Sequence, residues 1–208
     1  MNECDIRIFI IERDFYARQA IISYLGLDRR TRVLGDAGTP QGMVEALMAN
    51  PELARLDLIL LDAGLASGAP QMGACGYVVR DRVGIGIAWA IDFALRSQFL
   101  VTAGVATLLA DEHGRMPFPV TVLPGRRRYP SLTGRVEQAL RLCVVEGLSA
   151  AVAADEMGIS TSTVRSYIKE GYRILETEDD TVYPICMSPA ERAFIRYTAL
   201  EPPREVVM

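Results

Sequence analysis

Ile6-Arg7-Ile8-Phe9-Ile10-Ile11 is a nearly unbroken apolar run, the pattern of a strand covered on both faces. Phe15, Ala17, Ile21, Ile22 and Leu25 then recur at helical spacing over 15–25. A second short strand is predicted at 32–37. A helix is predicted at 40–49, opened by Pro40 and ended by Asn50-Pro51. Leu58-Ile59-Leu60-Leu61 predicts a third strand that stops at Asp62, and a Gly/Ala/Ser/Pro stretch follows. A strand at 76–80 and a long apolar helix from about 85 to 96 complete this half. The alternation predicts a parallel sheet with helices on both faces. Pro117, Pro119, Pro124, Gly125 and Pro130, with Arg126-Arg127-Arg128 among them, predict a linker over 119–130. Beyond it the pattern is helical. Gly147 ends one helix and Ser149 caps the next. Ser188-Pro189-Ala190-Glu191 is a capping box that predicts a last helix to about Leu200, with Ala193, Phe194, Tyr197 and Leu200 on one stripe.

The segment 148–175 has the spacing of two helices meeting at a tight turn. Ala154 is small enough for close approach. Gly158 takes a turn where positive φ would cost other residues energy. Val164 points inward, with Ile168 one turn on, and Ser160 or Thr161 caps the second helix. Its other face offers Thr161, Ser162, Arg165, Ser166, Lys169 and Arg173. A helix of this kind suits the major groove of double-stranded DNA, where Arg or Lys can bond guanine O6 and N7.

Charge sharpens this reading. Residues 1–125 carry eleven arginines against fourteen carboxylates. Residues 126–175 carry eight basic against five acidic side chains, a net of +3, and include Lys169, the single lysine of the chain. Residues 176–208 return to three basic against seven acidic. The basic island coincides with the helix-turn-helix, as a phosphate-facing surface requires. Its modest size puts the weight on placement and on a homodimer. Cys4, Cys75, Cys143 and Cys186 form no C-x-x-C pair, which suits free thiols in a reducing cytoplasm. The chain opens without the basic-then-apolar order of a signal peptide, and Asp92 and Arg96 interrupt the apolar stretch at 83–110, so no membrane span is expected.

Leu132–Leu142, Glu146-Gly147-Leu148-Ser149 and the turn and helix after them resemble the DNA-binding domain of NarL/LuxR-type response regulators, with one extra residue near Val144-Val145. The resemblance implies base reading by Arg165, Ser166 and Lys169 and phosphate contact by Thr163 and Arg173. It extends to the N-terminus. Ile8–Asp14 looks like the first receiver strand and its acidic pair, but Arg13 stands where the second metal-binding carboxylate belongs, beside Glu12. Asp62 matches the phosphoacceptor. Gly73–Asp81 resembles the last receiver strand, with Arg80 in the place of the phosphate-binding lysine, and Ala90–Leu109 resembles the last receiver helix. Only 17 residues separate Asp62 from Arg80, whereas a helix, strand and helix take roughly 30 or more. The implied fold is therefore a truncated, flavodoxin-like α/β receiver over 1–118, a linker over 119–130, an all-α LuxR-type helix-turn-helix domain over 131–176 and a C-terminal extension with one helix over 177–208.

Other classes fare worse. Val83–Ala90 has the glycines of a dinucleotide-binding loop, but Arg80-Asp81-Arg82 separates it from the preceding strand, and that strand does not open a βαβ unit. His113, the only histidine, sits beside Asp111, Glu112 and Gly114 in an expected loop, and no Cys/His cluster has zinc spacing. The expectation is a non-enzymatic, dimeric transcription regulator with no cofactor or metal. It acts without phosphorylation of Asp62, with Arg13 or Arg80 able to pair with that carboxylate, and RNA polymerase or another regulator is a further partner. The competing expectation is an interaction module that docks other regulators without binding DNA.

Overall fold

The computed structural model describes residues 6–50, 53, 55–62, 75–107, 120–184, 186–201 and 204–206. Cys4, the Gly/Ala/Ser/Pro stretch at 63–74, His113 with its neighbours Asp111, Glu112 and Gly114, and the linker prolines Pro117 and Pro119 lie outside the described residues. The chain divides into two compact units, Met1–Gly125 with Leu200–Met208, and Arg126–Ala199.

The first unit is α/β. Its elements are β1 (Ile6–Ile11), α1 (Phe15–Gly26), β2 (Thr31–Ala37), α2 (Pro40–Ala49) and β3 (Leu58–Leu61), then β4 (Gly76–Tyr77), α3 (Arg80–Val83) and α4 (Ile87–Arg96). After them come β5 (Leu100–Val101), α5 (described over 103–107), β6 (Val120–Val122) and β7 (Arg204–Val206). Strands β2, β1 and β3 form a parallel sheet in that order. Ile8, Phe9 and Ile10 of β1 are all fully buried because both faces are covered. Ile8 and Ile10 pack with Leu25, Ala88 and Ile91. Phe9 and Ile11 pack with Met43 and Leu53. The register slips between Ile8 and Phe9, opposite Gly35. A side chain at Gly35 would put its first carbon 2.7 Å from the Phe9 ring, so glycine is what admits that ring. Asp14 caps α1 through the Ala17 N–H, and Thr39 caps α2 through that of Gly42, as their N-cap chemistry dictates.

The later strands depart from the sequence expectation. Gly76–Tyr77 is not the last strand: α4 leads to β5, which pairs parallel with β4, and β6 pairs parallel with β5. A second sheet results, in the order β4-β5-β6-β7, with β7 antiparallel. The expected strand–helix crossover thus follows Arg80, and the compressed part is the connection from β3 to β4. The glycine-rich segment is a 3₁₀ turn (Gly84–Gly86) between α3 and α4, and Gly84 takes φ +49° at the break. Val120–Val122, inside the expected linker, is a strand. Strands of two or three residues are too short to leave a period-2 pattern.

The second unit is helical. It holds α6 (Gly134–Leu140), a π turn (Arg141–Val145), α7 (Ala150–Met157), α8 (Thr161–Glu178) and α9 (Pro189–Tyr197). Thr133, Ser149, Ser160 and Ser188 each cap the helix that follows by accepting a backbone N–H. The π turn coincides with the extra residue noted at Val144-Val145. A wider turn can absorb one inserted residue while Leu140 before it and Leu142 within it stay buried. Leu140, Leu175, Ala193 and Tyr197 share one core cluster, so α9 packs on α6 and α8. Helix α9 stops short of Leu200, which packs instead with Val83, Leu100 and Leu123 of the α/β unit.

Candidate nucleic-acid interface

The turn between α7 and α8 is built by its glycine. Gly158 ends α7 in the left-handed region, φ +64° and ψ 36°, and its N–H returns to the Ala154 and Asp155 carbonyls. Ala154 is buried with Ala139, Leu142, Ala153, Met157 and Val164, and Ile168 packs on that cluster, which matches the inward positions read from spacing. Ser160 Oγ accepts the Thr163 N–H at 3.2 Å and fixes the start of α8. Gly171 was not singled out by sequence reasoning, yet it sets the packing. An added Cβ there would lie 2.8 Å from Leu140 Cγ and Cδ1. A glycine inside a long helix costs about 1 kcal/mol against alanine, and that cost is the signal that marks a close approach.

The outward face of α8 holds the expected readers in distinct states. Ser162, Arg165, Ser166, Lys169 and Arg173 are exposed, and Thr161 and Thr163 are half-buried. Arg165 and Lys169 stand one turn apart with no ion pair among the described residues. Ser166 Oγ donates to the Ser162 carbonyl at 3.1 Å, while the Thr163 and Ser162 hydroxyls lie 2.7 and 2.8 Å from Ser160 Oγ. Arg173 is engaged: its Nε and Nη2 donate to Glu170 at 3.0 and 2.6 Å. That contact lowers the Glu170 pKa and raises that of Arg173.

Two of the three arginines at 126–128 serve the interior of the helical unit. The Arg126 guanidinium lies 3.9 Å from the Tyr197 ring centroid, and its Nε donates to the Tyr197 carbonyl. Arg127 pairs with Asp179 at 3.2 Å and donates to the Glu178 carbonyl. Asp179, 2% exposed, also faces Arg196 at 3.6 Å, so a buried carboxylate between two guanidinium groups ties the segment after α8 to α9. The buried Tyr129 hydroxyl donates to the Arg196 carbonyl, and burial raises its pKa.

In the α/β unit the receiver-like residues meet at the C-terminal ends of β1 and β3. Arg13 Nε donates to Asp62 Oδ2 at 2.9 Å. Arg80 approaches Glu12, not Asp62, at 3.6 Å. The Asp14 N–H donates to Glu12 Oε1 at 3.0 Å. This donor set does not fit a magnesium ion: a guanidinium holds the Asp62 oxygen, and no cluster of three or more ligating side chains occurs among the described residues.

Residues 127–175 match the family described as sigma-70, region 4. The chain is 25% identical over 194 residues, 78% of its length and 85% of the relative's, to the DNA-binding transcriptional activator DevR/DosR of Mycobacterium tuberculosis. Among solved structures it is similar to the response regulator ChrA of a heme-sensing two-component system (TM-score 0.36, 18% identity, 92% of this chain and 96% of that one). It is also similar to RcsB in complex with DNA (TM-score 0.31, 12% identity, 94% and 100%). The family match falls on the helix-turn-helix, and the likeness to the mycobacterial activator runs over most of both chains.

Proposed function

We propose that this protein is a transcription regulator of response-regulator type that binds double-stranded DNA through α8 and performs no catalysis. The observation that carries the reading is the exposed pair Arg165 and Lys169, unpaired among the described residues, on a helix that a left-handed glycine and a serine cap orient. Arg165, Ser166 and Lys169 read base edges, and Thr161, Ser162 and Thr163 lie at the N-terminal end of the helix, where backbone N–H groups favour phosphate. Arg173 joins them once Glu170 releases it.

Control by phosphorylation is not part of the proposal. The Arg13 guanidinium supplies Asp62 with the positive charge that a metal would bring, so the carboxylate end is already compensated. The protein acts as a homodimer in the cytoplasm, because one α8 with two free cations gives little affinity alone. RNA polymerase or another regulator is the further partner of the bound dimer. Selection of bound sequences from a random duplex pool tests the reading. A motif with two-fold repeated half-sites about 10 base pairs apart is the expected result.

A second reading, a docking module that has given up DNA, is favoured by one observation. Arg126, Arg127, Arg141 and Arg173 all stand in ion pairs within the unit, which leaves few cations for phosphates. An electrophoretic shift that weakens steeply with salt supports the DNA reading, and no shift at low salt supports the docking module.

A further inference from the structure

A cavity of about 340 Å³ lies in the α/β unit between α1, the ends of β1 and β3, and residues 77–87. Small-molecule sites run from about 300 to 1,000 Å³, so this one suits a small ligand. It exists because β3 and β4 are edge strands of two different sheets, and among the described residues no ladder closes the space between them. Its walls are apolar, with Ile10, Ile21, Leu60, Val83 and Ile87, and its charged end is formed by Glu12, Asp62 and Arg80.

The charged end is unevenly compensated. Asp62 is committed to Arg13. Glu12 is 9% exposed, and among the described residues only Oε1 accepts a hydrogen bond, from the Asp14 N–H. Its Oε2 stands 3.6 Å from Arg80, beyond hydrogen-bond reach. A carboxylate oxygen that faces an apolar cavity, with only a distant guanidinium opposite it, attracts a cation that brings N–H groups. Arg80 is 61% exposed, so it swings into solvent at little cost. An anionic ligand would meet two carboxylates and one loosely held arginine.

We propose that this cavity binds a small primary amine with an apolar body, its ammonium donating to Glu12 Oε2 and its body covered by α1 and β3. The site is independent of α8, so its test and the test of DNA binding fail separately. Isothermal titration of the full chain with phenethylamine, phenethyl alcohol and phenylacetate compares three head groups on one body. The amine is expected to bind about tenfold tighter than the alcohol, and phenylacetate not to saturate. Glu12→Gln removes the advantage of the amine and leaves the alcohol unchanged. Ala20→Trp, at an exposed lining position of α1, blocks all three while the circular dichroism spectrum stays that of the parent. Phenylacetate binding as well as the amine, no saturable binding of any probe to the parent chain, or amine binding that survives Ala20→Trp each overturns the proposal.

Discussion

Arg165 and Lys169 are separated by four residues of helix, a rise of about 6 Å. That distance spans about two base-pair steps of 3.4 Å, so the two cations of α8 address neighbouring bases when the helix lies in the major groove. Arg165→Ala removes a two-pronged donor from guanine. Such a contact is worth about 1–3 kcal/mol, or about 5- to 150-fold in Kd, on the preferred site only. Arg173 behaves differently, because Glu170 already holds its Nε and Nη2. Arg173→Ala is expected to weaken binding only about two- to threefold, since the contact must first be broken. Glu170→Gln frees Arg173 and deletes a charge that repels phosphate. It is expected to tighten binding severalfold on every sequence and to steepen the slope of log K against log salt by about 0.9. The assay is fluorescence anisotropy with a duplex taken from the random pool and a scrambled control, each at several salt concentrations. If Arg165→Ala weakens both duplexes equally and flattens the salt slope by about 0.9, Arg165 sits on phosphate and the groove assignment is wrong. If Glu170→Gln leaves affinity and slope untouched, Arg173 is not near the duplex.

The remaining predictions concern the framework and control. Gly171→Ala crowds Leu140, which costs about 1–3 kcal/mol against about 1 kcal/mol of helix gain; amide exchange over 134–175 should speed up, and a companion Leu140→Ala should relieve part of the loss. Asp179→Ala leaves the buried Arg196 only the more exposed Glu176, at 3.8 Å, and should cost about 3 kcal/mol, read as faster exchange over 179–197. The Arg7 guanidinium and N–H hold the Asp57 pKa at about 2 against an ordinary 3.8. The pair therefore stabilises the fold fully above that ordinary value and loses its effect as pH falls through about 2, so Asp57→Asn should lower Tm at pH 7 by a small amount that vanishes near pH 2. Acetyl phosphate with magnesium should leave DNA affinity unchanged, and Asp62→Asn should too; intact mass showing phosphate on Asp62 with a matching gain in affinity would refute this.

The helix-turn-helix was legible because its determinants are local. Caps at Ser149 and Ser160, a left-handed glycine and inward Ala154, Val164 and Ile168 each follow from one or two residues, and the structure brings them together. The π turn at Arg141–Val145 was not legible, since no residue type marks such a turn. Gly171 was missed because its reason lies on another helix. The α/β half was legible as far as Asp62, where apolar runs are four residues or longer. It placed β4 but overran its end, and it missed β5 and β6, whose two or three residues carry no period, and β7, which closes the second sheet from the far end of the chain.

Arg13 shows what a single substitution conveys and what it leaves out. A cation beside the carboxylates Glu12 and Asp14 implies that charge at this end of the sheet is compensated from within, and Arg13 donates to Asp62 at 2.9 Å. The sequence left open whether Arg13 or Arg80 would pair with Asp62, because side-chain reach depends on where the strands end. Arg13 stands two residues past the end of β1, and β1 pairs with β3 up to Ile11 and Leu61, so Arg13 and Asp62 leave the sheet near one another. Arg80 opens α3 after a strand of the other sheet, and from there it comes within 3.6 Å of Glu12. The same break that sends Arg80 to Glu12 separates β3 from β4 and leaves the cavity beneath. Arg13 takes up Asp62 while Arg80 stands 3.6 Å from Glu12, so the two carboxylates at the charged end of the cavity are compensated unequally.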